Sequence, residues 1–252
     1  MPWPRLRDGA ALAERAGFDG VWVFDHLAGA SVRGGTMLEA FTLLGALAAS
    51  TERIALGTLV LNVSHRQPAV TAVGAATVSA ISGRPMLLGL GAGASPDSPW
   101  SAEMRAVGQP IDPSLPRRHA AVEQVIETCR RLWSVERPAD LATVPRPMAG
   151  SALHVGAGGP ALARLAGRLA DGVNVGWLHP GRAEIIDAAR RAAVVARRPP
   201  IETTTYIPWD IGLLDPDHPT RHEMADQGID RLILALRRPD DLDALATHGI
   251  LS

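Results

Sequence analysis

The sequence predicts an α/β barrel of parallel strands covered by helices, and three observations carry that prediction. Short apolar runs alternate with segments at helical spacing along the whole chain, as crossover connections between parallel strands require. The 252 residues, 46% of them apolar, suffice for one barrel with a sizeable core. Glycines and polar residues gather just past the predicted strands, where α/β folds build their sites. A single domain over residues 1–252 is expected.

A first helix is expected over Asp8 to Ala16; Pro2 and Pro4 disfavour a central strand before it. Val21 to Phe24 reads as a strand that ends at Asp25-His26. Leu38 to Ala49 is helical, and Ile54 to Leu61 is a strand broken by Gly57. Ala69 to Ile81 is a small-residue helix closed by Ser82-Gly83. Met86 to Leu90 is a strand running into Gly91-Ala92-Gly93, and a polar, proline-rich loop follows. His119 to Trp133 is an amphipathic helix with Arg130 and Arg131 at its end, where the helix dipole favours cations.

The second half repeats the scheme. Strands are expected at Leu153 to Val155, Gly172 to Gly176, Thr203 to Ile207 and Leu232 to Leu236. Helices are expected at Ala161 to Leu169, Arg182 to Arg197, Arg221 to Gln227 and Asp240 to Ala246. That makes about seven strands where a (β/α)8 barrel has eight; the missing one is the first.

Composition removes several function classes. A formal net charge of −1 lacks the basic excess of a nucleic-acid-binding domain. The lone Cys129 leaves no internal disulfide and no cysteine zinc cluster. All 25 basic residues are arginine, so neither a Schiff-base lysine nor a Walker lysine exists. No apolar run reaches the ~18 residues of a membrane span, and the first residues do not read as a signal peptide. A cytoplasmic protein is expected, with no membrane partner and no metal.

Asp25-His26 is the candidate catalytic pair. Imidazole exchanges protons near neutral pH, and a neighbouring carboxylate can tune or orient it. The competing reading makes Asp25 a turn cap and His26 a surface residue. Gly91 and Gly93, and the run Gly156-Ala157-Gly158-Gly159-Pro160, can bring backbone close to a ligand, and the second run opens a helix whose free N–H groups suit a phosphate. Glycine turns after strands are also common without ligands. Asn62, Asn174 and Trp177 stand at the other strand ends. His218 and His222 read as a turn into a helix rather than as a metal pair. Cys129 reads as core.

Ala13 to Leu27 resembles the opening block of luciferase-like flavin or deazaflavin oxidoreductases. Leu47 to Thr58, Pro68-Ala69-Val70, Ser82-Gly83-Arg84 and Leu88 to Gly93 are similar to the blocks that follow, as are Arg117 to Trp133 and Gly158 to Asn174. The blocks keep family order over residues 10 to 177. The resemblance implies a luciferase-like (β/α)8 TIM barrel, here lacking or altering the first strand and shortened at the C-terminus, and a homodimer. It implies coenzyme F420 as cofactor, since Asp-His resembles the deazaflavin branch, with FMN as the alternative. It implies that His26 faces the ring, with Glu103 a distant second candidate for proton transfer. It places a non-proline cis peptide near Leu59-Val60 against the ring, Asn62 at the ring's polar edge, and the Gly158-Gly159 amides on the cofactor phosphate. Three departures stand out. Ala94 replaces an acid that some relatives carry after the glycine turn. Leu27-Ala28-Gly29-Ala30 lacks the aromatic residue of sugar-phosphate relatives. The last third is short.

The implied activity is hydride transfer between F420 and a small organic substrate, by C=C or C=N reduction or alcohol oxidation. An FMN-dependent monooxygenase is the alternative. A cofactor-free barrel acting as isomerase, cyclase or binding subunit is a reading of a different class. The helix pair Leu38 to Ala49 and Ala69 to Ile81 is a candidate dimer face, or simply core.

Overall fold

Glu14, on the first helix, shows how local chemistry sets the architecture. Its carboxylate accepts the backbone N–H groups of Arg53 and Ile54 at 2.5 and 2.7 Å, tying the helix to the start of a strand. The computed structural model describes residues 1–29, 35–236 and 239–247. Ala30, one of the residues in the stretch after Asp-His, lies outside them. Contacts divide the chain into two compact units, Met1–Leu153 and His154–Ser252.

The first unit runs α1 (Trp3–Arg15), β1 (Gly20–Val23), α2 (Ala40–Ser50), β2 (Ala55–Thr58), β3 (Leu61–Asn62), α3 (Pro68–Ser82), β4 (Met86–Gly91), α4 (Ala102–Ala106) and α5 (Leu115–Trp133). β1 pairs with β2, β2 with β4 and β3 with β4, all parallel. Leu44, Leu47, Leu56, Leu61, Met86 and Leu88 fill the core beneath them. The helices begin and end where their termini are satisfied. Glu39 caps α2 by accepting from Phe41 and Thr42. Pro68 opens α3, and Gly83 closes it at φ +66°, a conformation glycine adopts without steric cost.

Three expectations change here. The first helix starts at Trp3, five residues earlier than expected, because Pro2 and Pro4 sit at its N-terminus, where a missing N–H costs nothing. No strand precedes it among the described residues, as the sequence led us to expect. Gly57 does not break its strand: it lies inside β2 because a Cβ there would fall 2.5 Å from the Trp22 indole. The interruption is two residues later, at a cis peptide bond between Leu59 and Val60. The expected proline-rich loop contains the short helix α4.

The second unit carries β5 (Ala152–Gly156), α6 (Pro160–Leu169), β6 (Gly172–Gly176), α7 (Arg182–Val195), β7 (Glu202–Pro208), α8 (Pro219–Asp226), β8 (Arg231–Ala235) and α9 (Pro239–Thr247). β5, β6, β7 and β8 pair in that order, all parallel. α6 lies against α7, and Gly167 makes the approach possible: a Cβ there would meet the Ala189 carbonyl oxygen at 2.1 Å. Gly167→Ala therefore lowers stability by about 1–3 kcal/mol despite alanine's better helix propensity. Urea unfolding reads this as a lower midpoint; an unchanged or raised midpoint contradicts it.

His218 caps α8, accepting from Thr220 N–H at Nδ1, as the turn reading expected. Cys129 is fully buried on α5, and burial pushes its thiol up to about 12. No described helix is long and apolar enough to cross a membrane.

Candidate functional site

β1 stops at Val23, so Asp25 and His26 leave the strand end in separate directions and take separate partners. His26 Nδ1 lies 2.9 Å from Glu103 Oε1 on α4. The other Glu103 oxygen accepts the backbone N–H groups of Leu27 and Ala28 at 2.9 and 3.0 Å. One buried carboxylate thus fixes both the imidazole and the backbone after it. Phe24 and Trp100 flank the ring at 6.2 and 5.9 Å between centroids, and Trp100 is half exposed. A carboxylate on Nδ1 leaves Nε2 as the ring nitrogen able to take up or give a proton.

Asp25 does different work from that expected of it. Its side chain is 1% exposed and accepts from Asn62 N–H at 2.9 Å, from Arg66 through two guanidinium nitrogens at 2.8 and 2.9 Å, and from His65 Nδ1 at 3.1 Å. Burial by itself raises a carboxyl; the His65 and Arg66 hydrogen bonds and charges outweigh it and bring Asp25 down to about 2. Arg66 also bonds Glu39 and lies over the Phe41 ring. Asp25 therefore anchors the turn after β3, and the carboxylate that contacts His26 is that of Glu103.

Asn62 caps the 3-10 turn Val63–His65. It lines a cleft with Ser64, Ala92, Gly93, Met104 and Arg118. The glycines at the end of β4 make room for their neighbours, and Gly93 also lines the cleft. A Cβ on Gly91 would meet Val60 at 2.6 Å, and one on Gly93 would meet Asn62 Oδ1 at 2.8 Å. Leu59 is buried and Val60 half-buried on either side of the cis bond.

In the second unit, Gly159 opens α6 without a side-chain cap and Pro160 follows at its first turn. Cβ atoms on Gly158 and Gly159 would meet nothing within 4 Å. Here the backbone does leave open space before a helix N-terminus, as an anion needs. Gly156 ends β5, and Ala157 N–H is spent on the Asn174 carbonyl. Asn174 is 4% exposed and donates its amide to Thr204 Oγ1. Trp177 is 5% exposed beneath the Arg182 guanidinium, 3.6 Å from its ring centroid.

Sequence reasoning gave no role to His65 and Arg66 and ranked Glu103 low. The signal for Glu103 was its place as the one acid of the stretch 98–111; only the short helix α4 turns it toward His26. Among the described residues no group of three or more His, Cys, Asp or Glu is placed to hold a metal.

Parallel strands joined through helices define the parallel α/β class of folds. The model of the luciferase-like monooxygenase family matches residues 1–211, and the chain belongs to that family. Among curated relatives, an F420-dependent glucose-6-phosphate dehydrogenase of Beutenbergia cavernae is 37% identical over 176 residues, 64% of this chain and 49% of that protein. The enzyme of the same name from Intrasporangium calvum is 34% identical over 177 residues, 66% of this chain and 52% of that protein. The chain spans about half the length of these relatives. Among solved structures, an F420-dependent secondary alcohol dehydrogenase holding an F420-acetone adduct has a TM-score of 0.77 at 20% identity, covering 97% of this chain and 92% of that one. An EDTA monooxygenase from Chelativorans sp. BNC1 has a TM-score of 0.72 at 15% identity, covering 99% and 88%. These two likenesses establish the shared fold, the (β/α) barrel class expected from the sequence.

Proposed function

We propose that this protein is an F420-dependent oxidoreductase that transfers a hydride between the deazaflavin and a small organic substrate, reducing C=C or C=N or oxidising an alcohol. The observation that carries the reading is the His26–Glu103 pair, with Nδ1 held and the ring flanked by Phe24 and Trp100. The names of the relatives, F420-dependent dehydrogenases over the matched segment, support it.

The residues present fit such a group. A planar heterocycle needs apolar surface with a few polar atoms at its edge. In the first unit Val60 and Trp100 leave apolar surface open, and Asn62 offers a carboxamide. The open turn at Gly158-Gly159 separately suits a phosphate. When bound, a deazaflavin supplies the hydride acceptor or donor that no side chain can. The chain's own residues handle the proton. In the oxidative direction His26 Nε2 takes the hydroxyl proton as hydride leaves the substrate carbon; in reduction it returns one. Glu103 keeps the imidazole oriented and stabilises it when it carries charge.

A homodimer through the helix pair α2 and α3, of which α3 exposes Val70 and Ile81, and a cytoplasmic location are part of the same proposal. Light scattering that finds a monomer removes the dimer. Fluorescence titration tests the cofactor. Quenching of F420 with a dissociation constant on the order of micromolar, with no comparable FMN binding, is expected. Binding of FMN alone points instead to a luciferase-like monooxygenase. Binding of neither leaves a barrel without redox function.

A further inference from the structure

The turn after β3 holds a chain of hydrogen bonds whose protons can be assigned from geometry alone. Ser64 N–H lies 3.1 Å from Asn62 Oδ1, and a backbone N–H only donates, so the oxygen of this carboxamide faces Ser64. The Ser64 hydroxyl reaches the same oxygen at 2.8 Å. Asn62 Nδ2 therefore faces His65 Nε2, at 2.9 Å, and the amide must give a hydrogen there. That makes Nε2 an acceptor and puts the imidazole proton on Nδ1. The next partner agrees: Nδ1 lies 3.1 Å from Asp25, a carboxylate that only accepts. Met104 Sδ, 3.0 Å from Nε2, is itself only a weak acceptor and is the one contact that an Nε2–H would serve; the Asp25 carboxylate and the Asn62 amide are the stronger partners and outweigh it. The remaining charged groups of the network are Arg66 and Glu39, both on the far side of Asp25.

We propose that His65 is a positioning residue: the relay Asp25–His65–Asn62 locks the Asn62 carboxamide so that it presents an N–H donor, not its oxygen, to the cleft. Both acceptor contacts of the oxygen go to Ser64. The second amide hydrogen has only the weak acceptor Met104 Sδ, 4.0 Å away on the cleft wall. A flipped amide would set oxygen against the Nε2 lone pair and N–H against Ser64 N–H, losing two bonds at once. The cleft so built takes a ligand edge bearing a carbonyl or another acceptor and rejects one bearing N–H. The 2% exposure of the His65 side chain excludes it from touching the ligand itself. The ligand part of this inference rests on the deazaflavin reading above; the proton assignment does not.

Two measurements test it. The first needs no ligand: long-range ¹H–¹⁵N correlation at neutral pH on the labelled chain, with the His65 signals identified by their loss in His65→Phe. The Nδ1–H tautomer is expected; an Nε2–H or doubly protonated ring overturns the proposal. The second is a double-mutant cycle on the F420 dissociation constant, read by fluorescence. His65→Phe weakens binding about 2- to 10-fold in the native background, the worth of one hydrogen bond, and has no effect when Asn62 is already alanine. The same loss in both backgrounds overturns a role through Asn62. If the native chain binds no F420, the deazaflavin reading falls, and the tautomer alone decides whether the relay exists. His65→Gln replaces His65→Phe in both measurements if the latter does not fold.

Discussion

Replacing His26 with alanine lowers turnover by about 10²- to 10⁴-fold, the usual worth of a positioned proton-transfer group, and leaves F420 affinity nearly unchanged. The reason is the division of labour around the ring. On the proposed F420-dependent reading, hydride movement belongs to the cofactor, and the accompanying proton passes through a group with a free nitrogen. His26 has its Nδ1 tied to Glu103, so Nε2 is that nitrogen. Glu103→Gln produces a comparable fall by another route. Glutamine's oxygen can still accept from Leu27 and Ala28, but its amide then offers N–H to Nδ1 and shifts the proton to Nε2, where it blocks proton uptake. Steady-state rates with F420 on an accepted substrate decide the matter. A His26→Ala enzyme that keeps its kcat removes the imidazole from the reaction.

Asp25→Ala destabilises the fold by about 3–5 kcal/mol, because it strands buried cationic and imidazole partners of a carboxylate that is itself buried. The same group links stability to acid. Its folded carboxyl titrates at about 2, below the ~3.9 of an unfolded aspartate. A depressed value means that the stabilisation is complete above pH ~4 and disappears as pH falls through 2; it is worth about 2–3 kcal/mol. Urea unfolding at pH 7 and pH 3 measures both effects. The native chain loses stability toward pH 3, and Asp25→Asn loses less. Glu202, which the His154 and Arg231 contacts hold at about 2 against the opposing effect of burial, keeps some acid sensitivity in that variant. An Asp25→Asn profile as steep as the native one contradicts the assignment.

The regular elements were legible because their signals are local. Val21 to Phe24 and Met86 to Leu90 are continuous apolar runs, the pattern of strands in a helix-covered parallel sheet, and each falls within a residue or two of the observed strand. The Leu59–Val60 cis bond was implied by the family likeness, but Gly57 was misread as the break because glycine weakens strands in general. Its actual duty, making room for Trp22, depends on a residue 35 positions away in sequence. The pairing of His26 with Glu103 spans 77 positions and relies on a five-residue helix with too few residues for a periodic pattern. Adjacency suggested that Asp25 and His26 act together. Adjacent residues diverge as a strand ends, and no one-dimensional signal says which distant partner each will find.

Glu103 clamps the chain at Leu27 and Ala28, and Arg66 clamps it again at Glu39. Glu103 holds ring and backbone with one side chain, so the imidazole is preorganised and an incoming ligand need spend no binding free energy on orienting it.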